Sequence, residues 1–500
     1  MTQADIHISK CNEAFLIVHA EPHVEQELAD YFTFFAVGFN FNPLYKAKKW
    51  DGKIRMFNKR TKRIPAGLFR YIVEFAKERK YSLDFDPGMV LLTNFSVEEA
   101  KDYIDSLKIN SRGKPLDDRD YQITAFAKSI RYRRSTLLSP TASGKSYIIY
   151  AIWRYLLTHG CKKGLIIVPT ISLVEQMFTD FVDYATPDGG IVVEDICQKI
   201  YQGHSRDVTF PVTISTWQSI YEMPHEWYEQ FDFIIGDEAH MFKASSLTSI
   251  MRNMVNAKYR IGTTGTLDDM KVHKLTIEGW FGPVCKVTTT KELIKQGHIS
   301  DFTIKCLQLK HPEEVCRKAQ ELKTYPAEMD ILTSSVSRNK FIRNLVLSLK
   351  GNTLLLFQYV DKHGNILYDM IKLKAIKGRR IFFVFGGTEA EERESVRRIT
   401  EKENDAIIVA SYGVFSTGIN IRNLHNVIFA SPSKSKIRVL QSIGRGLRLG
   451  DNKTTATIYD IADDLRVDKF VNHTLKHYAE RVKMYSVEKF GVASYIIQLQ

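Results

Sequence analysis

The chain has 500 residues, 44% of them hydrophobic, and 70 basic side chains against 57 acidic ones give it a formal net charge of +13. This length suits about three domains of roughly 150 residues, and the positive balance favours a polyanionic partner, with a solvated surface as the alternative. The six cysteines form no CxxC pair, and no window approaches about 18 uninterrupted apolar residues. The sequence therefore excludes a disulfide framework, a cysteine metal site and a membrane-spanning helix, and indicates a reducing cytoplasm.

Residues 1–112 predict a small α+β domain. His7–His19 alternates like a strand, and Val24–Phe35 and Leu68–Arg79 have the apolar spacing of helices. Asn110–Pro115 contains Gly and Pro and is interpreted as a linker.

Most of the net charge lies in this first domain. Between Gly38 and Lys80, thirteen Lys/Arg residues against three acidic ones leave +10. The residues of this stretch predicted to contact nucleic acid are Lys46, Lys48, Lys49, Trp50, Lys53, Arg55, Lys59 and Arg60. They interleave with Phe41, Tyr45 and Phe57; lysines and arginines can neutralise phosphates, and aromatic rings can stack on an unpaired base. The alternative is a solvated hairpin whose aromatic side chains form a small core.

From residue 113 the pattern changes to short apolar strands that alternate with helices. A first series of strand candidates comprises Thr136–Leu138, Leu165–Val168, Val212–Thr216 and Phe231–Ile235. A second series comprises Thr353–Phe357, Ile381–Phe385, Ala406–Ala410, Val427–Ala430 and Thr455–Tyr459. Near-continuous apolar strands separated by helices indicate parallel sheets covered on both faces. The sequence thus predicts an α/β fold with two tandem lobes, 113–300 and 301–470, a crossing at Thr288–Ile304, and a helical extension at 471–500.

The segment Ser139–Ser146 (SPTASGKS) is a candidate phosphate-binding loop between a strand and a helix. Backbone N–H groups and the helix N-terminus would hold phosphates, Lys145 would reach the β and γ oxygens, and the Ser146 hydroxyl would bind Mg²⁺. The predicted phosphate-binding residues are Thr141, Ala142, Ser143, Gly144, Lys145 and Ser146. The strict pattern has Gly where Ser139 stands, and an ordinary loop-to-helix turn is the alternative.

Asp237 and Glu238 follow the apolar strand Phe231–Ile235 and begin the motif Asp-Glu-Ala-His240. Ligands of parallel sheets gather at the carboxyl ends of the strands. One carboxylate can therefore ligate the metal while its neighbour orients or deprotonates an attacking water. The alternative is a solvated acidic pair that caps a helix.

The third motif is Gln441–Arg448 (QSIGRGLR), in the series without a phosphate loop. Arg445 and Arg448 are three residues apart, so a helix would present both on one face. Two guanidiniums suit the charge that develops on a transferring phosphoryl group, and they would complete the site only when the lobes close. A solvated basic face is the alternative.

The order of these motifs, over about residues 117–465, resembles that of superfamily-two helicases. The resemblance implies two RecA-like lobes, ATP and Mg²⁺ as cofactors, and catalytic roles for Lys145, Asp237, Glu238, Gln441, Arg445 and Arg448. It further implies nucleotide contacts by Arg119, Gln122 and Gly418, a metal site at Ser146 and Asp237, and coupling by His240, Thr264 and Thr266. Nucleic-acid contacts are implied for Pro169, Thr170, Thr216, Gln218, Phe357, Gln358, Ser416 and Thr417. The glycine between Thr264 and Thr266 departs from the expected alanine.

Within that superfamily the chain is similar to UvsW-type recombination helicases of tailed phages. The resemblance is carried by Ala410–Ile419, Lys434–Arg445, Asn42-Pro43, Trp50–Arg55 and Pro65–Leu68. It implies a monomer in the host cytoplasm that binds single-stranded DNA and acts on forks, Holliday junctions or R-loops during recombination, repair and replication. An RNA helicase, a restriction-type translocase motor and a remodeller with an inactive motor are the alternatives.

Overall fold

The computed structural model of the chain describes residues 4–87, 89, 92–185, 190–267, 270–376, 378–417, 421, 423–431, 435, 439, 442–443 and 455–500. The chain divides into two compact units, Met1–Ser139 with Gly144–Val287 and Pro140–Ser143 with Thr288–Gln500. The first unit contains the N-terminal domain and lobe 1, and the second contains lobe 2. Among the described residues, no helix combines the length and the apolar character needed to cross a bilayer.

The N-terminal domain is built on a four-stranded sheet with the order β5-β2-β1-β6. Its elements are β1 (Ile6–Lys10), β2 (Phe15–Ala20), α1 (Pro22–Tyr31), β3 (Thr33–Phe35), α2 (Pro43–Lys46), β4 (Lys53–Arg55), β5 (Arg63–Pro65), α3 (Phe69–Arg79) and β6 (Leu83–Phe85). Strands β3 and β4 form a separate antiparallel pair. Helix α4 (Val97–Ser106) and the short hairpin of β7 (Asn110–Ser111) and β8 (Lys114–Pro115) lead to lobe 1.

The predicted α+β character of this domain is confirmed, with three differences in detail. The single strand expected at His7–His19 is a hairpin, because the Asn12 side chain accepts hydrogen bonds from the backbone N–H groups of Ala14 and Phe15 and turns the chain. The helix expected over Val24–Phe35 ends at Tyr31, and Thr33–Phe35 pairs with β4. The expected linker at 110–115 contains the β7–β8 hairpin.

Lobe 1 is a parallel seven-stranded sheet with the order β11-β12-β10-β13-β14-β9-β15. Its elements are α5 (Asp120–Tyr132), β9 (Arg134–Leu138), α6 (Lys145–Thr158), β10 (Gly164–Val168), α7 (Ile171–Tyr184), β11 (Cys197–Ile200), β12 (Val212–Thr216), α8 (Trp217–Ile220), α9 (His225–Glu229), β13 (Phe233–Asp237), α10 (Ser245–Asn253), β14 (Tyr259–Thr264), α11 (Lys271–Phe281) and β15 (Val284–Lys286). Its central strands are buried along their whole length, which explains their continuous apolar sequences.

Helix α11 joins the N-terminal domain to lobe 1. Its Leu275 belongs to the hydrophobic core of the N-terminal domain, and the ring of Trp280 meets Phe15 edge-on with 5.7 Å between the centroids. The buried carboxylate of Glu278 accepts hydrogen bonds from the Arg70 guanidinium at 3.0 Å and from the Tyr71 hydroxyl. Burial, together with the bond to Glu278, raises the pKa of Tyr71 to about 12. The two parts therefore share a core and a buried polar cluster.

Lobe 2 repeats the architecture, with a parallel sheet in the order β18-β19-β17-β20-β21-β16-β22. Its elements are α12 (Thr290–Lys295), β16 (Asp301–Lys310), α13 (Glu313–Leu322), α14 (Tyr325–Ser334), α15 (Val336–Ser348), β17 (Thr353–Phe357), α16 (Asn365–Lys374), β18 (Ile381–Val384), α17 (Ala390–Lys402), β19 (Ile407–Ser411), α18 (Tyr412–Thr417), β20 (Asn426–Phe429), β21 (Thr455–Asp464), α19 (His473–Val487) and β22 (Val492–Gln498).

Two tandem parallel-sheet lobes are therefore confirmed, and the residue range of each predicted strand overlaps that of an observed strand. The structure adds strands that the sequence did not predict: β11, β14, β15, β16 and β22. Strand β16 begins at Asp301, near the end of the expected crossing, and continues beyond it. Most of its buried residues alternate with more exposed ones, so it lacks the continuous apolar run of its neighbours.

The C-terminal segment corrects the expectation of a purely helical extension. Helix α19 is present, but β22 follows it and pairs in parallel with β16, so the last strand belongs to the lobe 2 sheet. The buried Arg481 of α19 forms an ion pair with the buried Asp460 of β21 at 2.8 Å. The Tyr485 hydroxyl donates to the same carboxylate at 2.8 Å. Lobe 2 is therefore completed by residues beyond 470.

We expect Arg481→Met to destabilise lobe 2, because it leaves the Asp460 carboxylate buried without its cation. Removing one partner of a buried ion pair costs about 3–5 kcal/mol. Urea denaturation should show a clearly lower midpoint for this variant, with part of the loss recovered in Asp460→Asn/Arg481→Met. Arg317→Met, which removes an exposed pair with Glu313, is the control and should leave the midpoint unchanged. Equal midpoints for wild type and Arg481→Met would contradict this role.

Candidate nucleotide site and nucleic-acid surfaces

The candidate phosphate loop follows β9 and leads directly into α6, as the sequence predicts. Within the loop, the Ser143 hydroxyl donates to the Pro140 carbonyl at 2.6 Å. Ala142 and Gly144 adopt left-handed conformations, with φ of +66° and +83°. Lys145 is the first residue of α6, and its amine donates to the Ser139 carbonyl at 3.4 Å. The loop thus precedes a 14-residue helix whose first N–H groups have no intrahelical partner, which is the arrangement that binds phosphate.

Gln122, the predicted adenine-reading residue, packs against the glycine of this loop. A Cβ added at Gly144 would overlap the Gln122 amide nitrogen. The Gln122 amide oxygen accepts from the Arg119 backbone N–H at 3.1 Å, and the Arg119 guanidinium donates to the Tyr121 hydroxyl at 2.6 Å. Arg119 and Gln122 therefore lie at the start of α5 with Gln122 beside the loop, as a nucleotide-base contact requires.

Asp237 ends strand β13, and its carboxylate is buried. Burial and the neighbouring Glu238 carboxylate raise the pKa of Asp237, while Lys145 and a hydrogen bond from Thr263 oppose the shift. The Thr263 hydroxyl donates to Asp237 at 2.7 Å. A desolvated carboxylate of this kind is suited to a divalent cation, because the cation would offset the cost of its burial.

Glu238 has a left-handed backbone, with φ of +52° and ψ of +51°. Such a conformation costs a non-glycine residue about 1–3 kcal/mol and is concentrated at functional sites. Glu238 begins the turn after β13. This turn includes His240, whose Nδ1 lies 3.2 Å from the Glu238 carboxylate. The turn thus sets the direction of the second carboxylate at a cost in local strain.

Thr264 connects this acidic turn to the phosphate loop. Its hydroxyl lies 3.0 Å from His240 Nδ1 and 3.5 Å from Glu238, and donates to the Thr266 carbonyl at 2.9 Å. Its own carbonyl accepts from the Ser139 backbone N–H at 2.8 Å. The predicted coupling residues His240, Thr264 and Thr266 are therefore in one hydrogen-bonded group with Glu238.

Two residues of the site were missed by sequence reasoning. Thr263 lies next to a predicted residue. It is the register partner of Asp237 across β13 and β14, a pairing that the sequence could not indicate because β14 was not predicted. Tyr184, at the end of α7, contacts the Ser146 hydroxyl through its own hydroxyl at 2.9 Å. A tyrosine 38 residues from Ser146 carries no sequence signal for this contact.

The predicted nucleic-acid contacts of lobe 1 differ in their exposure. Pro169 and Thr170 follow β10, and the Thr170 hydroxyl caps α7 by accepting from Leu173. Thr216 is buried and its hydroxyl bonds to Ser219, whereas Gln218 is exposed on α8.

In lobe 2, the structure corrects the expectation for Phe357. Its ring is completely buried and stacks on Phe383 with 5.5 Å between the centroids, so it supports the core and does not reach nucleic acid. The adjacent Gln358 is exposed. Ser416 and Thr417 lie in α18. Gly418, Gln441, Arg445 and Arg448 lie outside the described residues.

The basic stretch of the N-terminal domain divides into free and engaged side chains. Lys46, Lys48, Lys49 and Arg60 are exposed. The engaged side chains each have a partner within the domain. Trp50 donates to the Lys53 carbonyl, and the Lys53 amine lies over the Phe35 ring. Arg55 pairs with Asp51, and Lys59 donates to Gln26. Phe57 is 2% exposed and belongs to the domain core, which bears out the alternative of a small aromatic core for that residue.

The site combines a phosphate loop, an Asp-Glu pair and the two threonines Thr263 and Thr264 that bond to this pair, which we call the threonine relay, at the carboxyl edge of a parallel sheet. Together with a second lobe of the same kind, these are the features of a superfamily-two helicase. Family models agree over most of the chain. Residues 5–86 match "DNA helicase UvsW, N-terminal", residues 115–269 match "Type III restriction enzyme, res subunit", and residues 337–450 match "Helicase conserved C-terminal domain".

Whole-chain comparisons give the family. The ATP-dependent DNA helicase uvsW of Enterobacteria phage T4 is 34% identical over 99% of this chain and 100% of its own length. The crystal structure of T4 UvsW matches with a TM-score of 0.53 at 33% identity, again over 99% of this chain and 100% of that one. The DNA 3'-5' translocase XPB2 of Sulfurisphaera tokodaii is 23% identical over 81% of this chain and 90% of its own. The chain belongs to the UvsW family of ATP-dependent DNA helicases.

Gly144→Ala should weaken nucleotide binding while leaving the fold intact. The new methyl group would meet the Gln122 amide and also force alanine into a left-handed conformation. We expect ATP affinity, measured with a fluorescent analogue, to fall at least about tenfold, since a lost contact of 1.4 kcal/mol is a factor of ten. Gly160→Ala is the matched control, because Gly160 has φ of +94° with nothing within 4 Å of the added Cβ. Similar losses of ATP affinity in both variants would mean that backbone strain alone causes the loss, and not the contact with Gln122.

Proposed function

We propose that the chain is an ATP- and Mg²⁺-dependent helicase or translocase that unwinds or branch-migrates forked, junction or R-loop DNA. The observation that carries the ATPase part is the grouping of Asp237, Glu238 and Thr264 at the carboxyl ends of the neighbouring strands β13 and β14, with Lys145 at the start of the helix that follows β9. Membership of the UvsW family supports DNA as the substrate.

Each residue of the group has a distinct role in this proposal. Lys145 and the backbone of residues 141–144 bind the β and γ phosphates, and Ser146 and Asp237 hold Mg²⁺ directly or through water. Glu238 orients or deprotonates the attacking water. His240, Thr264 and Thr266 transmit the state of the site towards α11, and Gln441, Arg445 and Arg448 stabilise the transferring phosphoryl group.

The N-terminal domain supports branched DNA as the substrate. Its exposed lysines provide phosphate contacts outside the two motor lobes, and its shared core with α11 ties those contacts to lobe 1. A second DNA-binding surface on a motor allows one segment of DNA to be held while another is moved. Contacts by Thr170, Gln218 and Gln358 to the DNA backbone would follow the strand that the lobes track. Pro169 and Thr216 are buried, so their side chains are not assigned to these contacts.

Lys145→Ala should abolish ATP hydrolysis but leave most DNA affinity, because the lysine contacts phosphate and not DNA. Turnover with Mg²⁺ and forked DNA measures the first effect, and fluorescence anisotropy with labelled fork measures the second. Lys162→Ala, an exposed lysine after α6, is the control and should behave as wild type. Unaltered turnover in Lys145→Ala would refute the assignment.

The same turnover assay distinguishes the substrate classes when the wild-type protein is given forked DNA, linear duplex, single-stranded DNA or RNA. Forked DNA should stimulate most strongly. Stimulation by RNA alone would favour an RNA helicase, equal stimulation by linear duplex would favour a restriction-type translocase, and no turnover with any of them would indicate an inactive motor.

Replacing Lys46, Lys48 and Lys49 together by glutamine should weaken DNA binding and flatten its salt dependence. Each phosphate contact contributes about 0.9 to the slope of log K against log salt on duplex DNA, so the slope should fall by about 2 to 3. Binding at several salt concentrations measures this slope. The control replaces the exposed Lys77, Lys80 and Lys108, which changes the net charge equally. The same slope in both triple variants would remove the three lysines from the interface.

A further inference from the structure

The N-terminal domain carries an exposed group of large apolar side chains that extends from the end of β3 to the start of α2. We call it the apolar tip; it consists of Phe35, Val37, Phe41 and Leu44, which are all more than half exposed. Phe41 is 75% exposed and makes no ring contact within the described part of the chain. Exposed apolar clusters of this kind mark interaction sites in proteins that otherwise bury such side chains.

The tip rests on an ordered support. The Phe39 ring stacks on Phe35 with 4.6 Å between the centroids and meets Tyr45 edge-on at 4.9 Å. The Ala36 backbone N–H donates to the Gly52 carbonyl at 2.8 Å. Gly52 has φ of +77°, and a Cβ there would overlap the Phe39 ring, so glycine is needed for this close approach. Phe41 therefore projects from a folded platform.

A basic groove adjoins the tip. It encloses about 610 Å³ and is lined by Asn40, Tyr45, Lys46, Lys48, Lys49, Trp50 and Asp51. Asp51 is the one acidic residue in this lining, and its negative charge is paired with the Arg55 guanidinium. The hydrogen bond from Arg55 lowers the pKa of Asp51 to about 2, so this carboxylate remains charged and paired. The three lysines thus give the groove a positive charge, which favours an anionic occupant with a flat apolar part.

The segment that carries the tip lies against the first residues of α11. A cavity of about 570 Å³ is lined on one side by Phe34–Asn40 and on the other by Met270, Lys271 and Val272. Lys271 begins α11, and its amine lies 5.5 Å from the centroid of the Phe34 ring. Helix α11 follows strand β14, whose carboxyl end carries Thr264. The tip is therefore fixed next to the helix that follows the threonine relay.

We propose that Phe41 stacks on an unpaired base at the branch point of DNA, while Lys46, Lys48 and Lys49 bind the phosphates beside it. A nucleotide combines the flat apolar surface that Phe41 fits with the negative charge that the groove fits. Since the tip moves with lobe 1 as one unit, the stacked base would keep separated strands apart as lobe 1 advances. This inference rests on the proposed function and names the residue that contacts the branch.

The test uses the full-length protein with forked DNA that carries 2-aminopurine at the branch point. Stacking on an aromatic ring quenches this base, so wild type and Phe41→Trp should lower its fluorescence and Phe41→Ala and Phe41→Leu should not. We expect Phe41→Ala to bind the fork about tenfold more weakly, since base–aromatic stacking contributes about 1–3 kcal/mol. We also expect it to unwind more slowly at saturating DNA.

Phe85→Ala is the matched control, because Phe85 is a partly exposed aromatic residue elsewhere in the same domain. It should quench, bind and unwind as wild type. Normal quenching and unwinding in Phe41→Ala would overturn the inference and leave the proposed function intact. Loss of binding to anionic lipid vesicles in Phe41→Ala, without any effect on DNA, would assign the tip to a membrane surface. Absence of DNA-stimulated turnover in wild type would instead contradict the proposed function.

Discussion

The burial of the Asp237 carboxylate at the end of β13 is the constraint on which the candidate site depends. A buried carboxylate is costly unless charged or hydrogen-bonding partners surround it. Here Lys145 and Thr263 supply part of that compensation, and the adjacent Glu238 opposes it. The required partners come from β14 and from the helix after β9, which explains why these strands must be neighbours in the order β13-β14-β9. A divalent cation and nucleotide phosphates would supply the remainder.

Helix α11 extends the influence of this site into the N-terminal domain. The helix follows β14, the strand that carries Thr263 and Thr264. Its Leu275 packs in the core of the N-terminal domain, and its Glu278 bonds to Arg70 and Tyr71 of that domain. A shared core of this kind transmits displacement, because packed interiors have little free volume to absorb it. The basic groove and the apolar tip are thus held in a fixed relation to lobe 1, as a DNA contact that acts together with a motor requires.

The parts of the fold that could be predicted were those with strong local signals. Strands buried on both faces have continuous apolar sequences, and the phosphate loop and the Asp-Glu pair lie where such strands end. Strand β16 escaped prediction because it alternates, and β22 because most of its side chains are exposed at the sheet edge. Phe357 shows the limit for site residues: its motif position suggested a nucleic-acid contact, but the ring completes the lobe 2 core.

The sequence by itself determined the class of protein and the two-lobed α/β architecture and predicted the residues of the candidate nucleotide site, because those depend on residue types at short, fixed spacings. Only the tertiary structure decided which aromatic side chains of the basic stretch are available to a ligand. Phe57 and Phe41 both lie in the basic stretch and are both followed by asparagine, yet one is in the core and the other is three-quarters exposed. The physical reason is that burial depends on contacts between distant segments, and local sequence does not specify which of two equivalent rings will fill the core.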